Sequence, residues 1–192
     1  MPESPVILLP YSPQWPIDFR HLAAQLRTAL GPLAIRIDHI GSTSVPDLCS
    51  KDIIDIQLTV ADLQSPALLS AISAAGFELR PHILRDHVPP GRADAPADWD
   101  KRYFREPPGT RPAHIHVRVL GKPNQRYPLL FRDYLRAHPA AARAYAQLKE
   151  RLAPKLGRPD YVEAKDPVCD LILQAAEPWA EITRWTPPPS DA

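Results

Sequence analysis

Cysteine is scarce in this chain: Cys49 and Cys169 are the two among 192 residues, far apart and without a partner spacing. That excludes a disulfide framework and a Cys-type zinc site, and it leaves both thiols to packing. No apolar run approaches the length of a membrane span. Met1 to Tyr11 has no positively charged beginning, and its apolar stretch, Val6 to Leu9, is too short for a secretory signal, so the cytoplasm is the expected compartment. A net charge of +1 excludes a strongly electrostatic nucleic-acid binder but leaves room for a local basic cleft. No internal repeat is visible. What is present suits one folded domain: a length ample for a core and 44% hydrophobic residues.

Proline is abundant instead, at 25 residues, and serves as punctuation. Pro16 opens a helix to about Leu30, with Phe19, Leu22, Ala23, Leu26 and Leu30 on one stripe. Ser65-Pro66 opens a second helix that stops at Gly76. The polar segment from Pro81 to Pro112 reads as a long active-site loop enclosing one strand, Arg102 to Arg105. The C-terminal third is helical: Leu129 to Ala137, Pro139 to about Leu152, and a last helix after Asp166-Pro167. Strands and helices therefore interleave first and give way to helices, an α/β or α+β arrangement with a small mixed sheet. Residues 1–185 are expected to form one domain, and residues 186–192, with Pro187-Pro188-Pro189, a disordered tail.

The densest chemistry lies in residues 36–60. Ile35 to Ile40 reads as a strand, Gly41-Ser42 breaks it, and Thr43, Ser44 and Pro46 supply hydroxyls and start signals for a short helix. A glycine there admits a phosphate close to the backbone, and a helix N-terminus offers it free N–H groups. In the run Ile53 to Val60, Asp55, Gln57 and Thr59 share one face and Ile54, Ile56, Leu58 and Val60 the other, so one face is core and the other a site. Asp52 falls on the face opposite Asp55, as a strand-start residue. A charge within an Ile-rich run points to function, because an unpaired buried carboxylate is costly; the alternative is a carboxylate that caps a turn or pairs with arginine.

His114, His116 and Arg118 align on one side of a third strand, His114 to Val119. Two imidazoles beside Asp55 admit either a facial triad for Zn²⁺ or Fe²⁺ or hydrogen bonding with phosphate or with Asp55 itself. His39 reads as a structural group, and His21, His82, His87 and His138 belong to no constellation. Asp166-Pro167 has the form of an N-cap and a first-turn proline, which sets Lys165 just outside a helix N-terminus and makes it the first phosphate candidate. Lys51, Lys101, Arg102 and Arg132 are further candidates around a triphosphate, although Arg132 and Arg136 also flank Asp133 in the manner of a solvated ionic face. Trp99, Tyr103 and Tyr134 are suited either to stacking on a base or to core packing.

The turn Ile40-Gly41-Ser42, followed by Asp55 and Gln57 on a strand, resembles the nucleotidyltransferase superfamily, with its hydrophobic-Gly-[Gly/Ser] turn and two alternating carboxylates. His39 to Pro46, with Lys51 and Ile54-Asp55-Ile56, is more closely similar to the GrpB family of that superfamily. The likeness continues through Trp99, Lys101-Arg102, His114 to Val117, Phe131 to Arg136 and Tyr161 to Lys165. The resemblance implies a nucleotidyltransferase-like small mixed sheet whose C-terminal helical subregion covers a cleft. It also implies Mg²⁺-dependent transfer of a nucleotidyl group from an NTP to an acceptor. Gly41, Ser42, Thr43 and Ser44 would lie at the phosphates, Asp55 and His116 would be catalytic, and Asp55, Gln57, His114 and His116 would face the metal. Gln57 stands where the superfamily has its second carboxylate, and His114 and His116 where it has its third, a departure from the two-metal pattern. Two alternatives follow. One is a noncatalytic binder of a nucleotide or other phosphometabolite, such as a coenzyme A precursor, because the family includes segments fused to dephospho-coenzyme A kinases. The other is a transition-metal enzyme that uses Asp55, His114 and His116.

Overall fold

A computed structural model describes residues 5–192, so Met1 to Ser4, the start of the segment read for a signal, lie outside the described residues. The chain folds as helix α1 (Gln14–Leu30), strands β1 (Arg36–Ile40) and β2 (Ile54–Val60), helix α2 (Pro66–Ala74) and strands β3 (Glu78–Leu79), β4 (Arg102–Arg105) and β5 (Ala113–Val119). Helices α3 (Pro123–Ala137), α4 (Pro139–Leu152) and α5 (Arg158–Thr183) follow. The strands form one mixed sheet in the order β1-β2-β5-β4-β3, with β2 parallel to β5 and the other neighbours antiparallel. No helix among the described residues is long and apolar enough to cross a membrane.

Period-2 alternation divides the sheet into two faces. Ile54, Ile56, Leu58 and Val60 of β2, with Ile115 and Val117 of β5, turn toward α1 and α2 and pack on Trp15, Phe19, Leu26, Leu68 and Ile72. Full burial of each such aliphatic side chain stabilises by about 1.5–3 kcal/mol. Truncating Ile56, with no exposed surface, to alanine would cost about 2–5 kcal/mol. Ser65 caps α2 by accepting from the Leu68 N–H at 3.3 Å, with Pro66 in the first turn, as the sequence predicts. The opposite face carries Asp55, Gln57, His114, His116 and Arg118, and the helical subregion covers it. Leu130 of α3 packs with Leu173, Ala176 and Ala180 of α5, and Leu135 of α3 with Tyr145 of α4.

Three expectations need correction. Helix α3 begins at Pro123, ahead of the predicted Leu129, and continues through Pro128. Helix α5 runs unbroken through Pro167, so Asp166-Pro167 starts no helix and Lys165 lies within one. The actual N-cap is Gly157, with Pro159 in the first turn, and tertiary burial of Tyr161, Leu173 and Ala176 on both sides of Pro167 outweighs the one hydrogen bond that the proline removes. The tail, expected to be disordered, instead lies along the edge of β1. Ser190 Oγ accepts from the Ile37 N–H at 2.9 Å, Asp191 Oδ2 accepts from the His39 N–H at 2.9 Å, and the Ala192 N–H donates to the Ile37 carbonyl at 3.2 Å. The edge of β1 offers unpaired backbone groups, and the tail satisfies them.

Candidate functional site

Gly41 ends β1 with φ at 70°, and a Cβ built there would fall 2.4 Å from Asp55 Oδ2. Its function is thus to leave room for that carboxylate across the sheet, where Ile40 and Asp55 are paired. Ser42–Ser44 form a single 3-10 turn. Thr43 is fully buried against His39 Nε2 at 3.0 Å, and Ser44 Oγ donates to the Gly41 carbonyl, so both hold the turn rather than face a ligand. Ser42 alone of the three lines the cavity beside Asp55. His39 stacks on Phe19 with centroids 4.7 Å apart, and burial drives its pKa down to about 3, in keeping with a structural role.

That cavity, of about 480 Å³, is cationic. Lys51, Lys101, Lys149, Lys165 and Arg158 line it, and Asp55 is the one carboxylate among its described lining residues. Lys149 is 2% exposed; its Nζ donates to Ser42 Oγ at 2.9 Å and to the Cys49 carbonyl, and no carboxylate among the described residues pairs with it. Burial lowers its pKa to about 8, with Lys165 adding to the effect. Lys51 is likewise lowered to about 8, by burial first and then by Arg158 and Lys165. Lys51 and Lys165 both lie near the Tyr161 ring, 5.9 and 5.3 Å from its centroid. Lys165 therefore reaches the cavity from the side of a helix, without help from a helix terminus. Lys149 and Arg158 were not singled out in the sequence. Lys149 carries a signal, since it follows Tyr145 by four residues on the buried stripe of α4, whereas Arg158 was hidden by the misplaced start of α5.

Asp55 sits between the two histidines. His114 Nδ1 lies 3.1 Å and His116 Nε2 3.6 Å from Asp55 Oδ1. Burial works against the charge of Asp55, but the hydrogen bond from His114 and the close approach of the His116 ring prevail and hold its carboxyl well below the usual range. Burial, helped by Arg118 and Lys101, lowers the His116 pKa to about 3. The ligand atoms of Asp55, His114 and His116 lie within 4.8 Å of one another, close enough for one ion. The surrounding shell does not fit a Zn²⁺ or Fe²⁺ ion, however. Arg158 Nη2 meets His114 Nε2 at 3.3 Å and Arg118 Nη2 meets His116 Nδ1 at 3.3 Å. A guanidinium only donates, which assigns the outer nitrogens as acceptors and the inner N–H groups to Asp55. Metal-bound imidazoles need the reverse, a free inner lone pair and an outer N–H given to an acceptor.

A two-ion Mg²⁺ set does not fit either. Gln57 is fully buried, with Oε1 accepting from Arg118 at 2.8 Å and Nε2 donating to the Gln125 carbonyl at 2.9 Å, so the predicted metal role is corrected. Asp86, a carboxylate from the long loop that the sequence reading missed, is bound by Arg118 at 2.8 Å through both oxygens, by Lys101 at 2.6 Å and by Asn124 at 3.1 Å. Lys101 thus reaches the cavity already paired. Arg102 projects to the other face of β4 and binds Gln64 at 3.0 Å, and Arg132 is fully buried against the His39 carbonyl, Asp133 and Asp191. Neither lines the cavity, because strand parity turns Arg102 away and Arg132 ties α3 to β1 and the tail. Tyr103 does face the site, its ring edge-on to His114 and His116 at 5.4 and 5.1 Å. Tyr134 stacks on His138 within the helical core.

Comparison with known proteins matches a family model described as GrpB protein over residues 5–175. A dephospho-CoA kinase from Mycobacterium tuberculosis (strain ATCC 25618 / H37Rv) is 38% identical over 201 residues, covering 96% of this chain and 49% of that protein. The chain spans about half the length of the curated relatives it matches first. The crystal structure of the conserved protein GrpB from Enterococcus faecalis superposes with a TM-score of 0.71 at 31% identity, covering 88% of this chain and 96% of that one. A cytoplasmic RNA terminal U-transferase aligns at 15% identity with a TM-score of 0.48, over 73% of this chain and 41% of that one.

Proposed function

This chain belongs to the GrpB family, and we propose that it binds a nucleoside triphosphate or a comparably phosphorylated small molecule in the cationic cavity beside Asp55. The observation that carries this reading is Lys149: a buried ammonium without a carboxylate partner among the described residues, grouped with Lys51, Lys165 and Arg158. Uncompensated buried cations are costly, and an anion with several oxygens offsets that cost. Ser42 and Tyr161 complete the wall. The relatives named dephospho-CoA kinase make a coenzyme A precursor one phosphorylated candidate beside ATP. The test is thermal stabilisation of the chain by ATP, tripolyphosphate and adenosine. Stabilisation by the first two without the third is expected; equal stabilisation by adenosine and ATP refutes the reading.

A second reading, nucleotidyl transfer, is favoured by Asp55 itself, an ionised carboxylate set within a cationic cavity at the Gly-Ser turn. With Gln57 and Asp86 bound to protein groups, Asp55 would be the residue to hold a single Mg²⁺, which would polarise the phosphate. Asp55→Asn separates the two readings. If Asp55 holds Mg²⁺, the variant loses Mg²⁺-dependent ATP affinity. If the site only binds anions, removing a negative charge leaves ATP affinity equal or higher.

A further inference from the structure

Ser42 and Lys149 also have the geometry of a nucleophile and its base. Gly41, with φ at 70°, turns the chain out of β1 and sets Ser42, partly exposed, on the wall of the cationic cavity. Lys149 lies beside it at 2% exposure, with Nζ 2.9 Å from Ser42 Oγ. Ser42 Oγ has no other hydrogen-bond partner among the described residues, whereas Thr43 meets His39 and Ser44 donates to the Gly41 carbonyl. The second partner of Lys149 is the Cys49 carbonyl, which can only accept. A neutral amine that gives one N–H to that carbonyl can turn its lone pair to Ser42, and the bond reverses: Oγ donates and Nζ accepts. Hydroxyl and amine already stand within the reach that proton transfer needs. Burial, which lowers the Lys149 pKa to about 8, brings the neutral form within the ordinary pH range.

We propose that Ser42, with Lys149 as its general base, takes the acyl group from an ester or thioester whose remainder carries phosphate. The bond from Oγ to the carbonyl carbon forms, the bond from that carbon to the leaving oxygen or sulfur breaks, and the Oγ proton passes through Lys149 to the leaving group. Water then attacks the acyl carbon, one of its protons returns through Lys149 to Oγ, and the acid is released. Lys51, Lys165 and Arg158 line the same cavity and offset the negative charge that gathers on the carbonyl oxygen. The choice of a phosphorylated substrate rests on the phosphate reading above, but the nucleophile does not. Because the lysine that holds an anion when charged is the base when neutral, ATP is an inhibitor of this step.

The probe is 4-nitrophenyl acetate, with nitrophenolate release followed by absorbance and the acetylated peptide of the acid-quenched full chain identified by mass. Acetylation of Ser42 is expected, abolished by Ser42→Ala and slowed about a hundredfold by Lys149→Met, the lower range for a general base. Ser42→Ala changes a partly exposed site and keeps the test independent of how the core accepts methionine. The wild-type rate should rise through about pH 8 as Lys149 loses its proton, a rise diminished in Lys149→Met. Cys49, Tyr145, Glu150, Lys165 and Cys169 surround Lys149, and burial pushes the two thiols and the phenol up, away from this range. Lys51, also lowered to about 8, titrates in both proteins, and its effect persists in the variant. Nitrophenolate release equal in wild type and the two variants overturns the proposal, as does acetylation of Lys51 or Cys49 in place of Ser42. If Ser42 is acetylated but ATP neither stabilises the chain nor slows the reaction, the phosphate reading fails and the nucleophile stands. If ATP stabilises the chain and Ser42 stays unmodified, the nucleophile alone is refuted.

Discussion

Replacing Lys149 by methionine should make the ligand-free protein more stable at neutral pH. The drop of the Lys149 pKa from an ordinary 10.5 to about 8 means that burial disfavours the charged form by about 3 kcal/mol. Methionine fills a similar volume and removes that cost, but it forfeits the hydrogen bonds to Ser42 and the Cys49 carbonyl, about 1 kcal/mol each. The net gain is about 1 kcal/mol, or about 2–4 °C in Tm for a chain of this size. The sign with pH follows from linkage. Between about pH 8 and 10.5 the unfolded chain holds the Lys149 proton and the folded one does not, so wild-type stability rises with pH in that window. The cost is fully present below pH 8 and gone above 10.5. By about pH 9.5 only about 1.4 kcal/mol of it remains, less than the lost hydrogen bonds, so the order of the two proteins should reverse. Lys51 titrates alike in both and cancels in the difference. Melting curves at pH 7 and pH 9.5 provide the assay. A variant less stable than wild type by the same amount at both values would show Lys149 to be a net structural asset and would refute the reasoning.

Gly41→Ala should displace Asp55, because the added methyl would meet its Oδ2 at 2.4 Å and φ is 70°; a loss of about 1–3 kcal/mol in stability, read by denaturant melts, is expected. Gln57→Asp should not create a metal site: it leaves the Gln125 carbonyl without its donor and pairs with Arg118, so Mg²⁺ affinity by calorimetry stays flat while stability falls by about 1–3 kcal/mol. Lys165→Ala should weaken ATP binding by about 1–3 kcal/mol without changing adenosine, with little loss of ligand-free stability. Affinity for ATP should decline as pH rises through 8, where Lys51 and Lys149 lose their charge in the free protein.

The strands and their faces were legible because period-2 alternation in Ile53 to Val60 and His114 to Val119 states burial directly, and it placed Asp55, His114 and His116 on one face. The helix ends were less legible where proline was concerned. Asp166-Pro167 carries a start signal, but buried residues on both sides of it, Tyr161 and Leu173, hold a single helix through the proline. Site membership of the basic residues was the hardest to read, since it depends on which side of an element faces the cavity. Arg132 and Lys51 both read as phosphate candidates in the sequence, yet Arg132 ties α3 to β1 while Lys51 lines the cavity. Asp86 was illegible because a loop residue has no period to place it; Arg118, on the same face of β5 as His114 and His116, fixes it.

Proton uptake on anion binding tests the cationic cavity most directly. At pH 8 the phosphates of ATP are almost fully ionised, since their last pKa is near 6, whereas Lys51 and Lys149 are half-charged in the free protein. Calorimetry of ATP binding in two buffers of different ionisation enthalpy counts the protons exchanged. The account predicts uptake at pH 8 that diminishes toward pH 6.5 and is reduced in Lys149→Met. Binding with no proton uptake at pH 8, or uptake unchanged in Lys149→Met, would contradict it.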